Sequence, residues 1–178
     1  MTQVEIDEYW MNRALELAKN AQDAGEIPVG ALLVKDNQLV ASGWNRSIES
    51  HDPTAHAEII ALQQGGKALN NYRLLDTTLY VTLEPCIMCA GALVHSRIGR
   101  LVYGAKDFKT GACGSFINLL ERPGLNHYID VTGGVLEETC STMLSAFFKM
   151  RRAQKKEQKR MLSQIQCECV ENRNSKNA

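Results

Sequence analysis

No stretch of this chain approaches the roughly 18 consecutive apolar residues that a membrane-spanning helix requires, so no such helix is expected. The first residues, Met1 to Asp7, are polar and acidic and lack the character of a signal or transit peptide. The cytoplasm is therefore the expected compartment, and thiols stay reduced there. The six cysteines are accordingly not read as a disulfide framework. Internal repeats and a domain linker are missing too. That leaves one domain over residues 1–160, large enough to bury most of its unfolded surface, and a polar, disordered tail over 161–178.

A net charge is also lacking, since 20 Lys and Arg balance 20 Asp and Glu. The balance is uneven along the chain. Residues 1–148 carry 11 basic against 17 acidic side chains, whereas 149–160 carry seven basic residues and only Glu157. A charge run is often no more than a solvated helix face. A basic surplus gathered at one end of an acidic body also suits a polyanionic partner.

What the chain does contain is a set of metal-binding side chains at informative spacing. Asp52-Pro53-Thr54-Ala55-His56-Ala57-Glu58 is followed by Glu84-Pro85-Cys86-Ile87-Met88-Cys89. His56, Cys86 and Cys89 offer one imidazole and two thiolates, a donor set suited to tetrahedral zinc. Three protein ligands leave a fourth position for water, as catalytic rather than structural zinc sites do. Glu58, two residues beyond the histidine, is the expected proton carrier. Glu84 is a second carboxylate candidate, though a carboxylate before Pro85 more often steadies a helix start. The pattern H-x-E…P-C-x-x-C is the signature of zinc nucleobase deaminases, in which zinc lowers the pKa of a bound water from about 15.7 to about 7.

Periodicity places these pieces. Ile6, Trp10, Ala14, Leu17, Ala18 and Ala21 fall at helical spacing, with Gly25 as the stop. Val29 to Val34 and Leu39 to Trp44 form a hairpin through Asp36-Asn37. Asp52 as N-cap and Pro53 as first helical residue open a helix that Gly65-Gly66 ends. Thr78 to Leu83 is a strand, Pro85 begins a helix through Val94, and Arg100 to Gly104 is a strand. Residues 109–126 read as loop with a helical turn at Phe116 to Leu120. Tyr128 to Val131 is the last strand, before a helix burying Leu136, Cys140, Met143, Leu144, Phe147 and Phe148. Cys113 and Cys140 read as buried free thiols. The expected fold is a three-layer α/β/α sandwich around a mixed, roughly five-stranded sheet.

These residues resemble the bacterial tRNA-specific adenosine deaminases, within the cytidine-deaminase-like superfamily. The likeness covers about residues 5–155. It is carried by Gly25-Glu26-Ile27-Pro28-Val29-Gly30-Ala31, the Asn45 loop, the two zinc segments, and Gly104-Ala105-Lys106-Asp107 through Gly111-Ala112-Cys113-Gly114-Ser115. It implies conversion of adenosine to inosine at the wobble position of an arginine tRNA, by a homodimer with one zinc per chain. It also implies that the anticodon stem-loop yields a flipped-out nucleotide. By the match, Asn45 and Ala57 contact that nucleotide and Asp107 accepts from a ribose hydroxyl. Lys106 and, from the basic run, Arg151 and Arg152 are the expected contacts to the RNA backbone. Ser47 stands where relatives are expected to carry proline, and Arg122 where many carry histidine.

Two other readings stay open on sequence. A deaminase of a free base such as guanine would share the zinc signature but needs no basic helix. A zinc-stabilised RNA-binding module would need no non-ligand carboxylate beside the metal.

Overall fold

The computed structural model describes the backbone of residues 1–174 and the side chains of residues 1–164. Helix α1 spans Gln3–Asp23, followed by β1 (Gly30–Lys35), β2 (Gln38–Trp44), α2 (Ala57–Ala68), β3 (Thr77–Leu83), α3 (Ile87–Ser96), β4 (Arg100–Ala105), β5 (Asp130–Gly133) and α4 (Glu137–Asn174). Residues 1–144 make one compact unit and residues 145–178 a second, which contains the remainder of α4. The helix crosses position 161 without a break in secondary structure. The expected disordered tail falls mainly beyond the described side chains.

The sheet order is β2-β1-β3-β4-β5, antiparallel from β2 to β3 and parallel from β3 to β5. The mixed five-stranded sheet expected from sequence is therefore present. Its hairpin closes at Asp36 and Asn37, both at positive φ (49° and 56°), the backbone that a two-residue turn with matching twist demands.

Two glycines show how the layers form. A Cβ on Gly30 would lie 2.6 Å from the Ala18 backbone nitrogen of α1. On the other face, a Cβ on Gly43 would lie 2.6 Å from the Ala57 carbonyl of α2. Gly43 pairs with Ala31, the neighbour of Gly30, so α1 and α2 cover opposite faces of the hairpin. The start of α4 shares the α1 face, because Cys140 packs against Gly104 of β4. Helices on both faces give the three layers, and the buried core runs from Met11 and Ala14 through Leu33, Leu79 and Leu101 to Leu93 and Ile98.

A polar knot joins α1 to this sheet. Asp7 is buried and takes a two-pronged ion pair from Arg100 of β4, with Nη1 to Oδ1 at 2.7 Å and Nη2 to Oδ2 at 2.8 Å. The Tyr80 hydroxyl and the Gln3 amide also donate to Asp7 Oδ1, each at 3.0 Å. Burial alone would raise the Asp7 carboxyl. The bonds from Arg100, Gln3 and Tyr80 outweigh it and hold the group below the usual carboxylate range.

Several element boundaries differ from expectation. Asp52 does not cap α2: its Oδ1 accepts from the Thr54 N–H and hydroxyl, closing a local turn, and His56 is the N-cap instead. The two glycines do not end α2, which continues to Ala68; Gly65 gives room for the Leu33 side chain. Pro85 lies ahead of α3, whose N-cap is Cys86. No helical turn forms at Phe116 to Leu120. The N–H groups of Phe116 and Ile117 return to the Gly111 carbonyl, and those of Cys113 and Ser115 go to Glu84, so no i→i−4 ladder starts. The last strand begins at Asp130, two residues later than expected.

Candidate metal centre and active site

The metal-binding residues meet where two helices begin. His56 is the N-cap of α2, in extended backbone with φ −79° and ψ 152°. Cys86 is the N-cap of α3 with φ −74° and ψ 174°, and Cys89 lies in its first turn. Both helices start beyond the sheet's carboxyl edge, where β3 ends at Leu83 and β4 at Ala105, the usual ligand side of parallel strands. The cap geometry also resolves a difficulty of spacing. Residues two apart on a regular helix point about 200° apart. His56 is outside the helix, so it and Glu58 can address the same point.

The distances fit one tetrahedral ion. His56 Nδ1 lies 3.7 Å from Cys86 Sγ and 3.5 Å from Cys89 Sγ. Zinc bonds of about 2.05 Å to nitrogen and 2.3 Å to sulfur at a tetrahedral angle would set these separations near ~3.6 Å. Among the described residues, His56, Cys86 and Cys89 are the group whose ligand atoms all fall within 4.8 Å of one another, and neither His51, His95 nor Cys113 joins it. A hydrogen bond from Cys89, then His56, lowers the Cys86 thiol to about 4 against its burial, and Cys89 is pushed up as the donor of the pair. Cys86 is the readier thiolate, at a helix N-terminus that favours negative charge.

Glu58 stands in the first turn of α2, only 4% exposed and outside the ligand set. Burial raises its carboxyl above the ordinary value, opposed by a backbone hydrogen bond and by His56. This is a buried carboxylate beside, and not in, the metal-ligand group.

Two further segments border the centre. Asn45 is buried, and its Oδ1 accepts from the Ala57 N–H at 2.9 Å, so it satisfies the first free donor of α2. The loop that follows is tied down by Glu26, a 2% exposed carboxylate whose Oε1 accepts from the N–H groups of Ile48 and Glu49 at 2.8 Å each. Ser47, in the position where proline is expected, bonds through its hydroxyl to the Ala55 carbonyl at 3.4 Å. On the other side, Asp107 closes a turn, accepting from the N–H groups of Lys109 and Thr110 and the Thr110 hydroxyl. Lys106 beside it is exposed, as are Arg151 and Arg152 in the second unit, where Arg151 lies 6.0 Å over the Phe147 ring.

Sequence reasoning missed the structural parts of Glu26, Glu84 and Asp7. Their one visible signal was a carboxylate set against apolar neighbours, and their partners are far along the chain.

The profile of the cytidine and deoxycytidylate deaminase zinc-binding region matches residues 4–105. A tRNA-specific adenosine deaminase of Haemophilus influenzae is 57% identical over 162 residues, covering 90% of this chain and 94% of that protein. The chain belongs to the tRNA-specific adenosine deaminases. A solved structure from studies of A-to-I editing by tRNA:A34 deaminases at the wobble position of transfer RNA is 43% identical. It superposes with a TM-score of 0.74 over 76% of this chain and 99% of that one. A guanine deaminase from Nitrosomonas europaea shares the fold at 28% identity and a TM-score of 0.67, over 79% and 83% of the two chains. Zinc is thus this deaminase's metal, and His56, Cys86 and Cys89 are placed to hold one ion.

Proposed function

We propose that this deaminase hydrolyses adenosine to inosine at the wobble position of a tRNA anticodon, that of an arginine tRNA, and releases ammonia. The observation that carries the reading is the buried Glu58 carboxylate set beside, but outside, a complete His-Cys-Cys ligand group. When bound, zinc supplies a Lewis acid that makes water a nucleophile at neutral pH. Glu58 takes the water's proton and passes it to the neighbouring ring nitrogen. As the C–O bond forms at the ring carbon and the C–N bond breaks, Glu58 carries the second proton to the departing amine.

Asn45 and Ala57 line the place of the flipped base, the Asn45 amide offering a donor beside the oxygen that Ala57 already uses. Asp107 has lone pairs left to accept from a ribose hydroxyl, which distinguishes RNA from DNA. Lys106, Arg151 and Arg152 hold phosphates of the anticodon stem-loop. Residues 1–160 act as the catalytic domain, followed by the polar tail sequence of 161–178. The enzyme works as a homodimer in the cytoplasm, where the ligand thiols stay reduced.

The guanine deaminase reading shares the metal centre but leaves the basic helix unused. Incubation of the zinc-loaded protein with an arginine tRNA transcript, followed by nuclease digestion and nucleoside analysis, separates the two. Inosine at the wobble position is expected, and xanthine from free guanine without inosine from tRNA would overturn the reading.

A further inference from the structure

Glu84 is left over by this chemistry, although it immediately precedes the Pro85-Cys86 corner. Its side chain is 2% exposed, so the carboxylate is withdrawn from water and must find partners inside. It finds three, all backbone N–H groups of one distant loop. Oε2 accepts from Asp107 at 3.1 Å, and Oε1 accepts from Cys113 at 2.9 Å and Ser115 at 3.0 Å. The loop is built to admit it. A Cβ on Gly111 would lie 2.6 Å from Glu84 Cδ and 2.8 Å from Oε1, so the carboxylate occupies the space of a missing side chain. The same loop is stitched to the metal corner by the Ala112 N–H, which donates to the Pro85 carbonyl at 2.8 Å, and by a bridge between Cys86 and Gly111.

We infer that Glu84 is a positioning residue that locks the 107–115 loop against the metal-ligand corner, so that the loop meets a single-stranded RNA substrate in one fixed conformation. The inference rests on the tRNA reading above for its substrate class. The loop carries Asp107, and next to it Phe108 stands 73% exposed, with Phe116 just beyond at 56%. Exposed aromatic faces stack unpaired bases. A ring on a floating loop would lose ordering entropy at each binding event, whereas a pinned loop has met that cost on folding. Glu84 reaches no reacting atom; it acts through the backbone it holds.

The test uses zinc-loaded full-length protein carrying Glu84→Ala, Glu84→Gln or Gly111→Ala, with an arginine tRNA transcript as substrate. Glu84→Ala removes the acceptor of all three hydrogen bonds. The expected result is a KM for tRNA raised about tenfold or more, a much smaller change in kcat, and one zinc retained per chain. Glu84→Gln keeps an oxygen for Cys113 and Ser115 but turns a donor toward Asp107, and should fall between wild type and alanine. Gly111→Ala keeps the carboxylate chemically intact, but its Cβ would lie 2.6 Å from Glu84 Cδ and push it out of its seat, so it should raise KM as Glu84→Ala does. Backbone hydrogen exchange over 107–115 should accelerate in each variant, a readout independent of activity. A wild-type protein inert on tRNA would fail the functional reading alone, and exchange would still judge the hold on the loop. Unchanged exchange in Glu84→Ala would overturn the inference. So would an unchanged KM with accelerated exchange, a kcat loss with a displaced pH profile at constant KM, or release of zinc from Glu84→Gln.

Discussion

Replacing Asp7 by asparagine tests the reading of the α1–β4 ion pair as a structural clamp. The substitution keeps the volume and one acceptor oxygen while removing the charge. Arg100 is then without the anion that it grips with two nitrogens, and its side chain is only 19% exposed. Breaking one partner of a buried pair costs about 3–5 kcal/mol. Two features lower that figure here. Arg100 Nη2 keeps its bond to Thr132 at 2.8 Å, and Asp130 lies 3.7 Å from Nε, although it is exposed. A loss of about 2–4 kcal/mol is therefore expected, which for a chain of this size lowers Tm by roughly 4–16 °C. Urea unfolding of the zinc-loaded protein at neutral pH gives the number directly. The pH dependence has a definite sign. The folded-state pKa of Asp7 is depressed, so its contribution is whole above the unfolded value of about 3.9 and fades as pH falls through the folded value. Asp7→Asn should accordingly lose its disadvantage in strong acid. A destabilisation below about 1 kcal/mol at neutral pH, or one that does not shrink in acid, would refute the clamp.

Other substitutions probe separate parts of the molecule. Glu58→Gln should lower deamination by at least about 10²-fold while zinc content stays at one per chain, since the residue moves protons and holds no metal. Inosine formation and metal analysis on the same preparation check this, and near-normal turnover would move the role elsewhere. Changing Arg151 and Arg152 together to alanine should weaken tRNA binding, measured from low to high salt. The log–log salt slope should flatten by about 0.7–0.9 for each phosphate that is no longer neutralised. Gly30→Ala forces a Cβ to within 2.6 Å of the Ala18 nitrogen and 2.8 Å of the Leu17 Cβ, so α1 must shift. Denaturant midpoints should report a destabilisation of about 1–3 kcal/mol or more.

The chemistry was legible because zinc chemistry is carried by particular atoms at short spacing. An imidazole and two thiolates, with a carboxylate two residues from the first, specify their ion wherever the chain puts them. The hairpin was legible for a similar reason. Asp36-Asn37 between apolar runs leaves few turns available, and the pairs next to it, Lys35 with Gln38 and Val34 with Leu39, follow from the turn, whereas a bulge between Leu33 and Val34 shifts the register of the rest. Alternation of helix and strand sufficed for the layered α/β class.

Tertiary structure decided whatever depended on a partner far along the chain. Asp52 is the exception, a choice between two local arrangements: its oxygen goes to Thr54, two residues on, and His56 stands at the helix end instead. Gly65 looked like a stop, whereas the Leu33 side chain from another strand occupies the space beside it and the helix continues. Glu84 looked like a companion to Pro85, but its oxygens are taken by N–H groups 23 to 31 residues away. Asp7 and Arg100 are 93 residues apart and meet only because α1 lies across β4. A carboxylate has the same chemical identity in solvent, at a cap or in a core. Its function is set by which N–H groups the folded chain brings within about 3 Å, and that information is not local to any stretch of sequence.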